Sequence, residues 1–176
     1  MDEIITWKAG LSLVIILFGI KPTYASQSYG YIQKGSKIGN LYEVKSFTEK
    51  PNKKTADSYI KSKEYLWNSG IFLFKAKDFL SEMEKFNPLM LNLCRKAINN
   101  SILNQGATHI AKEDYEDLEN ISIDYALLEK TSSLRVLEME TTWGDLGTWQ
   151  SIQDHSFKDL NDNTLIGKIQ IDHVTN

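Results

Sequence analysis

Three short stretches hold residues whose types and spacing could do chemistry. In "FTEKP" (47–51), the carboxylate of Glu49 and the ammonium of Lys50 stand side by side before a proline. A carboxylate can accept hydrogen bonds from two vicinal sugar hydroxyls, and a lysine offers a compact positive charge for a phosphate. Neighbours on a strand point to opposite faces, but a bend at Pro51 can bring both to one pocket. A solvated Glu-Lys pair is the plainer alternative. In "WGDLGTW" (143–149), Gly144 and Gly147 let the backbone turn tightly around Asp145, between two tryptophans. A carboxylate presented that way can ligate magnesium. A tight turn with packed tryptophans fits equally. In "EYLWNSGIFLF" (64–74), small and polar Asn68, Ser69 and Gly70 interrupt an otherwise apolar run.

Other chemistries find no support. No G-x-G-x-x-G occurs among the ten glycines. "GYIQKGSK" (30–37) imitates a nucleotide-phosphate loop, but Ser36 and Lys37 are in the wrong order and the context is strand-like. His109, His155 and His173 lie far apart, and none is paired with cysteine at zinc-ligand spacing. The single cysteine, Cys94, excludes an internal disulfide and suits a reducing compartment, so the expected location is the cytoplasm. In "LMLNLCRKAI" it has helical spacing from apolar neighbours and reads as a small core residue.

The elements that must position these residues follow from pattern. The 176 residues suffice for one domain with a core, and 41% hydrophobic with 24% charged residues is ordinary for a globular chain. A net charge of −3 with interspersed signs argues against a nucleic-acid surface. "AGLSLVIILFGI" (9–20) is too short to cross a membrane and suits a buried strand. The rival reading, a signal peptide ending near Ala25, is opposed by the two acids of "MDEIITWK". Strands are expected over 29–35 and 41–51 around a turn at 36–40, and from residue 64 through about Ala76. Helices are expected over 53–65, 77–86, 88–101 with Pro88 at its start, and 122–131 with Ser122 as cap. Residues 102–120 carry little pattern; Glu113, Asp114, Glu116, Asp117 and Glu119 read as a solvated face. A strand over 134–142, a turn at 143–149, a short helix and two short strands over 163–174 complete the chain. This irregular mixture predicts an α/β fold with part of the sheet antiparallel.

"FGIKPT", "YGYI", "FTEKP", "YLWNSGIFLFKA", "SIDYALLEKT" and "WGDLGTW" occur in this order. Together they resemble the mannose-1-phosphate guanylyltransferases over about residues 13–155. The resemblance implies a Rossmann-like nucleotidyltransferase mixed sheet with flanking helices, incomplete at the N-terminus. It implies that residues 1–159 form part of the catalytic domain, its acceptor-sugar half, and that 160–176 start a C-terminal β region. The implied reaction, a step of GDP-mannose biosynthesis, joins GTP and mannose 1-phosphate into GDP-mannose and pyrophosphate. By the same resemblance, Glu49 and Lys50 contact the sugar and its phosphate, with Lys50 also catalytic. Asn68 reads sugar hydroxyls at the mouth of a strand, Gly70 allows close approach, and Ile71 to Phe74 run on into the core. Gly30 and Tyr31 line the sugar through their backbone, Asp124 joins the substrate site, and Asp145 is catalytic as the ligand of Mg2+.

Departures from the family pattern have consequences. Gln27-Ser28 replaces the usual Thr-Gly before "YGYI", which would strain Ser28 if that position needs positive φ. Gly144 stands where Ser or Asn is common. "MDEIITWK" does not resemble the family, and the glycine-rich loop that cradles GTP has no counterpart here. The expected partners are therefore mannose 1-phosphate, GTP through a site mostly outside these residues, and a complementing N-terminal half or a second copy, with no nucleic acid or membrane. The alternative is a non-catalytic remnant or partner-binding fragment.

Overall fold

The computed structural model describes residues 14–141, 143–147, 149–154, 156–159, 163, 164 and 167. Within them the early apolar run forms strand β1, Ile15–Ile20, with Ile15, Ile16, Leu17 and Ile20 all buried. Residues 9–13 of the strand expected there lie outside the described residues. The chain divides into two compact units, Met1–Glu140 and Thr141–Asn176.

The first unit is built on a closed sheet in the order β1-β4-β2-β3-β7. Its strands are β1, β2 (Tyr31–Ile38), β3 (Leu41–Thr48), β4 (Tyr65–Phe74) and β7 (Leu134–Met139). β1 runs antiparallel to β4 and parallel to β7; the remaining ladders are antiparallel, so the expected mixed sheet is present. β2 outlasts the strand expected at 29–35 and leaves only Gly39 and Asn40 for the turn. Inward residues alternate along the strands: Ile15 and Leu17, Ile32, Phe47, Leu66, Leu134 and Val136 form one core. Each such burial stabilises by roughly 1.5–3 kcal/mol.

Helix α1, Lys53–Ser62, follows β3 directly. Asn52 caps it, its Oδ1 accepting the Thr55 N–H at 3.0 Å, and Lys63 closes it in the left-handed conformation. Helices α2 (Ala76–Phe86) and α3 (Pro88–Asn99) meet at Asn87, whose side chain caps α3 with Pro88 in its first turn. On α2, Met83 enters the core while buried Glu82 accepts a short hydrogen bond from the Thr131 hydroxyl just before β7.

Four expectations need correction. Ile71, Leu73 and Phe74 do not enter the core; they are exposed, at 49%, 37% and 38%. Strand alternation turns Phe72 inward opposite Leu17, while Phe74 stacks on Phe79 with ring centres 4.7 Å apart. Cys94 is exposed. α3 sends Leu91 into the core and otherwise packs mainly against α2 and the short helix α4 (Lys112–Glu116), so its apolar spacing outruns its cover and Leu89 and Ile98 are exposed too. Asp114 is not on a solvated face; it is buried beneath α3. The Asn100 amide at 3.0 Å, and then the Lys96 ammonium at 3.1 Å, hold its carboxyl below the usual aspartate range. Before α4 lies a hairpin of β5 (Ile102–Asn104) and β6 (Ala107–His109), which sequence pattern did not disclose. Finally, the helix around 122–131 is a π-helical turn, Asp124–Leu128, and Ser122 contributes its carbonyl rather than a side-chain cap.

In the second unit, Trp149–Asp154 forms helix α5 and Lys158 pairs with Thr164 in an antiparallel bridge. The rest of the strands expected over 163–174 lies outside the described residues. Among the described residues no helix is long and apolar enough to cross a membrane.

Candidate functional site

Just before β2, just after β3, at the bend within β4 and at the start of the π-helical turn, Gly30, Glu49, Asn68 and Asp124 come together. Asn68 is delivered by β4, and its backbone N–H donates to the Gly30 carbonyl at 2.8 Å. Its side-chain Oδ1 accepts the Gly70 N–H at 3.2 Å, and its Nδ2 approaches Asp124 Oδ1 at 3.4 Å. Both ends of the amide are thus oriented while lone-pair and N–H capacity remain. Ser69 secures the bend: its hydroxyl donates to the Phe18 carbonyl at 2.7 Å and accepts the Ile71 N–H at 3.2 Å, beside the register shift between Leu17 and Gly19. Gly70 has φ +73°, a backbone conformation that favours glycine, with open space where a Cβ would stand.

At Gly30 it is neighbouring protein atoms that leave no room for a side chain. A Cβ there would meet Glu49 Oε2 at 2.5 Å and the Asn68 Cβ at 3.2 Å. The carboxylate of Glu49 therefore sits where any other residue at position 30 would place its side chain. Its other oxygen lies 3.5 Å from Lys50 Nζ. Burial pushes the Glu49 carboxyl up from its ordinary value and the charge of Asp124 adds to this, with Lys50 opposing. The Lys50 side chain is 62% exposed, against 12% for Glu49.

Backbone strain falls on Lys50, at φ 45°; Ser28 is not in the left-handed region, and its N–H donates to Ser26 Oγ at 3.1 Å. A side chain in that region costs roughly 1–2 kcal/mol. Tyr31 starts β2 and is fully buried; its hydroxyl accepts the Ser26 N–H and donates to the Ser26 carbonyl, both at 2.9 Å. The phenol therefore pins the 21–30 loop. Above that loop Tyr24 and Tyr29 pack edge-on against buried Trp67, with centroids at 4.9 and 5.1 Å.

Glu129 was not singled out by its spacing. It follows Asp124 by five residues, and its Oε1 accepts the Glu49 backbone N–H at 3.1 Å. Only an i→i+5 turn signals this, and that has no simple sequence pattern.

Asp145 belongs to the second unit. It is exposed, Gly147 leaves its carboxylate uncrowded, and the Ser151 hydroxyl donates to its carbonyl. Among the described residues no three acidic, histidine or cysteine side chains converge as a metal cage. A lone open carboxylate nevertheless fits magnesium, which keeps several waters and takes one or two carboxylates beside substrate phosphates.

A family model described as nucleotidyl transferase matches residues 7–162. A mannose-1-phosphate guanylyltransferase of Salmonella typhimurium, RfbM, is 42% identical over 156 residues, which is 88% of this chain and 33% of the relative. The xanthan biosynthesis protein XanB of Xanthomonas campestris pv. campestris strain B100 is 40% identical over 159 residues, 90% of this chain and 34% of that one. The chain thus spans about a third of the length of the curated relatives it matches. Among solved structures, a Thermus thermophilus protein described as a mannose-1-phosphate geranyltransferase superposes with a TM-score of 0.69 at 29% identity, covering 81% of this chain and 40% of that chain. A Helicobacter pylori protein described as a mannose-6-phosphate isomerase gives 0.70 at 29% identity, covering 77% and 54%. With nearly its whole length matched by the family model and its mixed sheet shared with these structures, the chain belongs to the nucleotidyl transferase family.

Proposed function

We propose that the chain supplies the acceptor-sugar site of a mannose-1-phosphate guanylyltransferase. The observation that carries this reading is the seating of the Glu49 carboxylate against Gly30, beside Asn68, with an exposed lysine next to it. A buried carboxylate and an oriented amide read hydroxyls; the adjacent ammonium reads a phosphate. The names of the curated relatives support mannose 1-phosphate as that sugar phosphate.

In the proposed reaction a phosphate oxygen of mannose 1-phosphate attacks the α-phosphorus of GTP in line, and the bond to pyrophosphate breaks. The contribution of the protein is positioning and charge. Glu49 and Asn68 hold the sugar, Asp124 orients Asn68, and Lys50 holds the attacking phosphate. Asp145 would hold Mg2+, which when bound neutralises charge on the reacting phosphates. The GTP loop would come from a complementing chain or from residues outside this sequence, and the cytoplasm is the proposed compartment. A second reading, a partner-binding fragment without turnover, draws on exposed Ile71, Leu73, Phe74 and Leu80.

Titration of the isotope-labelled chain with mannose 1-phosphate tests the first reading. The amides of Gly30, Glu49 and Asn68 are expected to shift and saturate. In Gly30→Ala the new methyl displaces the flexible end of Glu49, so the chain stays folded while affinity falls by roughly tenfold or more, the cost of one charged hydrogen bond. A folded wild-type chain indifferent to the ligand would leave the second reading in place.

A further inference from the structure

The turn between β3 and α1 carries both proposed ligand contacts, yet it has an unfavourable backbone at Lys50. Its two ends are fixed. Thr48 pairs with Tyr31 in the β2–β3 ladder, and beyond buried Pro51 the cap at Asn52 anchors α1. The stretch between them is held from a third direction, by the hydrogen bond from the Glu49 N–H to Glu129 Oε1 at 3.1 Å.

How Glu129 reaches that N–H depends on the winding of its own element. In an α-helix, residues five apart point roughly 140° away from one another. Here the Glu129 N–H bonds the Asp124 carbonyl at 2.9 Å, an i→i+5 closure that stacks the two residues on one side. Asp124 then faces Asn68 at 3.4 Å while Glu129 faces the Glu49 backbone. A carboxylate beside the Glu49 carboxylate is electrostatically unfavourable, and its charge helps push the Glu49 carboxyl up. A charged acceptor offsets this by making a stronger hydrogen bond than a neutral one.

We propose that Glu129 is a positioning residue: brought beside β3 by the π-helical turn, it holds the Glu49–Lys50 backbone in the left-handed turn that sets the place of the Lys50 ammonium. The consequence for phosphate binding rests on the function proposed above; the backbone role does not.

The test compares wild type, Glu129→Ala and Glu129→Gln as full labelled chains. Glu129 is exposed, so neither substitution threatens the fold. The first readout is ligand-free: the strong intraresidue HN–Hα cross-peak of Lys50, a mark of positive φ, and slow exchange of the Glu49 amide. Both are expected to be lost in Glu129→Ala and kept in Glu129→Gln, whose carbonyl still accepts. The second readout is affinity: roughly tenfold weaker mannose 1-phosphate binding in Glu129→Ala, near wild-type binding in Glu129→Gln, and no change for mannose, which lacks the phosphate. A Lys50 signal that survives in Glu129→Ala overturns the proposal, as does its loss in Glu129→Gln. If wild type binds no mannose 1-phosphate, the proposed function fails, while the Lys50 signal still decides the role of Glu129.

Discussion

At the scale of single residues, Glu49 is held in a state its own chemistry resists. Burial and the neighbouring charge of Asp124 disfavour its ionised form more than Lys50 favours it, so its carboxyl titrates above the ordinary glutamate value. The folded chain therefore binds this proton more tightly than the unfolded chain does. Stability from this group is greatest below the unfolded value, declines as pH rises through the raised folded value, and above it the ionised side chain is a constant liability. Glu49→Gln is expected to be at least as stable as wild type at neutral pH, with the advantage shrinking as pH falls toward the ordinary glutamate range, while mannose 1-phosphate binding is lost. Urea midpoints at several pH values check the sign. Glu49 and Asn68 were legible as candidates, the one as a carboxylate beside a lysine before Pro51 and the other as a polar break in an apolar strand, with their sugar roles resting on the family resemblance. Glu129 was not, because its role depends on a winding that local propensity does not specify.

At the scale of elements, the 21–30 loop and β2 are joined by one phenol. Tyr31→Phe keeps the ring in the core but leaves the buried N–H and carbonyl of Ser26 without their partner. The expected loss is about 2 kcal/mol, read as a lower urea midpoint at unchanged slope. Strands and helix starts were the readable elements: Pro88 opens α3 as expected, and Leu41, Val44 and Phe47 mark β3, whereas the caps Asn52 and Asn87 went unread and Ser122 proved not to be one. What pattern could not supply was cover. Helical spacing marks an apolar stripe, but only the number of neighbours decides whether the stripe is buried, as Cys94 and Ile98 demonstrate. Asp114 erred in the opposite direction, since its burial depends on an asparagine and a lysine fourteen and eighteen residues earlier.

At the scale of the whole molecule, the mixed sheet followed from alternating strand and helix patterns, whereas its closure through β1 beside β7 depends on pairing across more than a hundred residues. That scale also fixes the thiol chemistry. Cys94 is the one cysteine of the chain and is exposed. A disulfide-exchange reagent is expected to titrate one thiol per native chain without denaturant, and air oxidation to give a covalent dimer that a reductant reverses. A thiol that reacts only in urea would contradict the exposed position on α3.

The packing of Tyr24 and Tyr29 around Trp67 places an optical probe at the rim of the proposed sugar site. Trp67 is 3% exposed, whereas Trp149 is 87% exposed. An indole shielded from water emits to the blue and escapes aqueous quenchers, and two phenols within about 5 Å feed it excitation energy. Because the next residue is Asn68, the blue emission that Trp67→Phe removes is expected to report on the proposed acceptor site with no label attached.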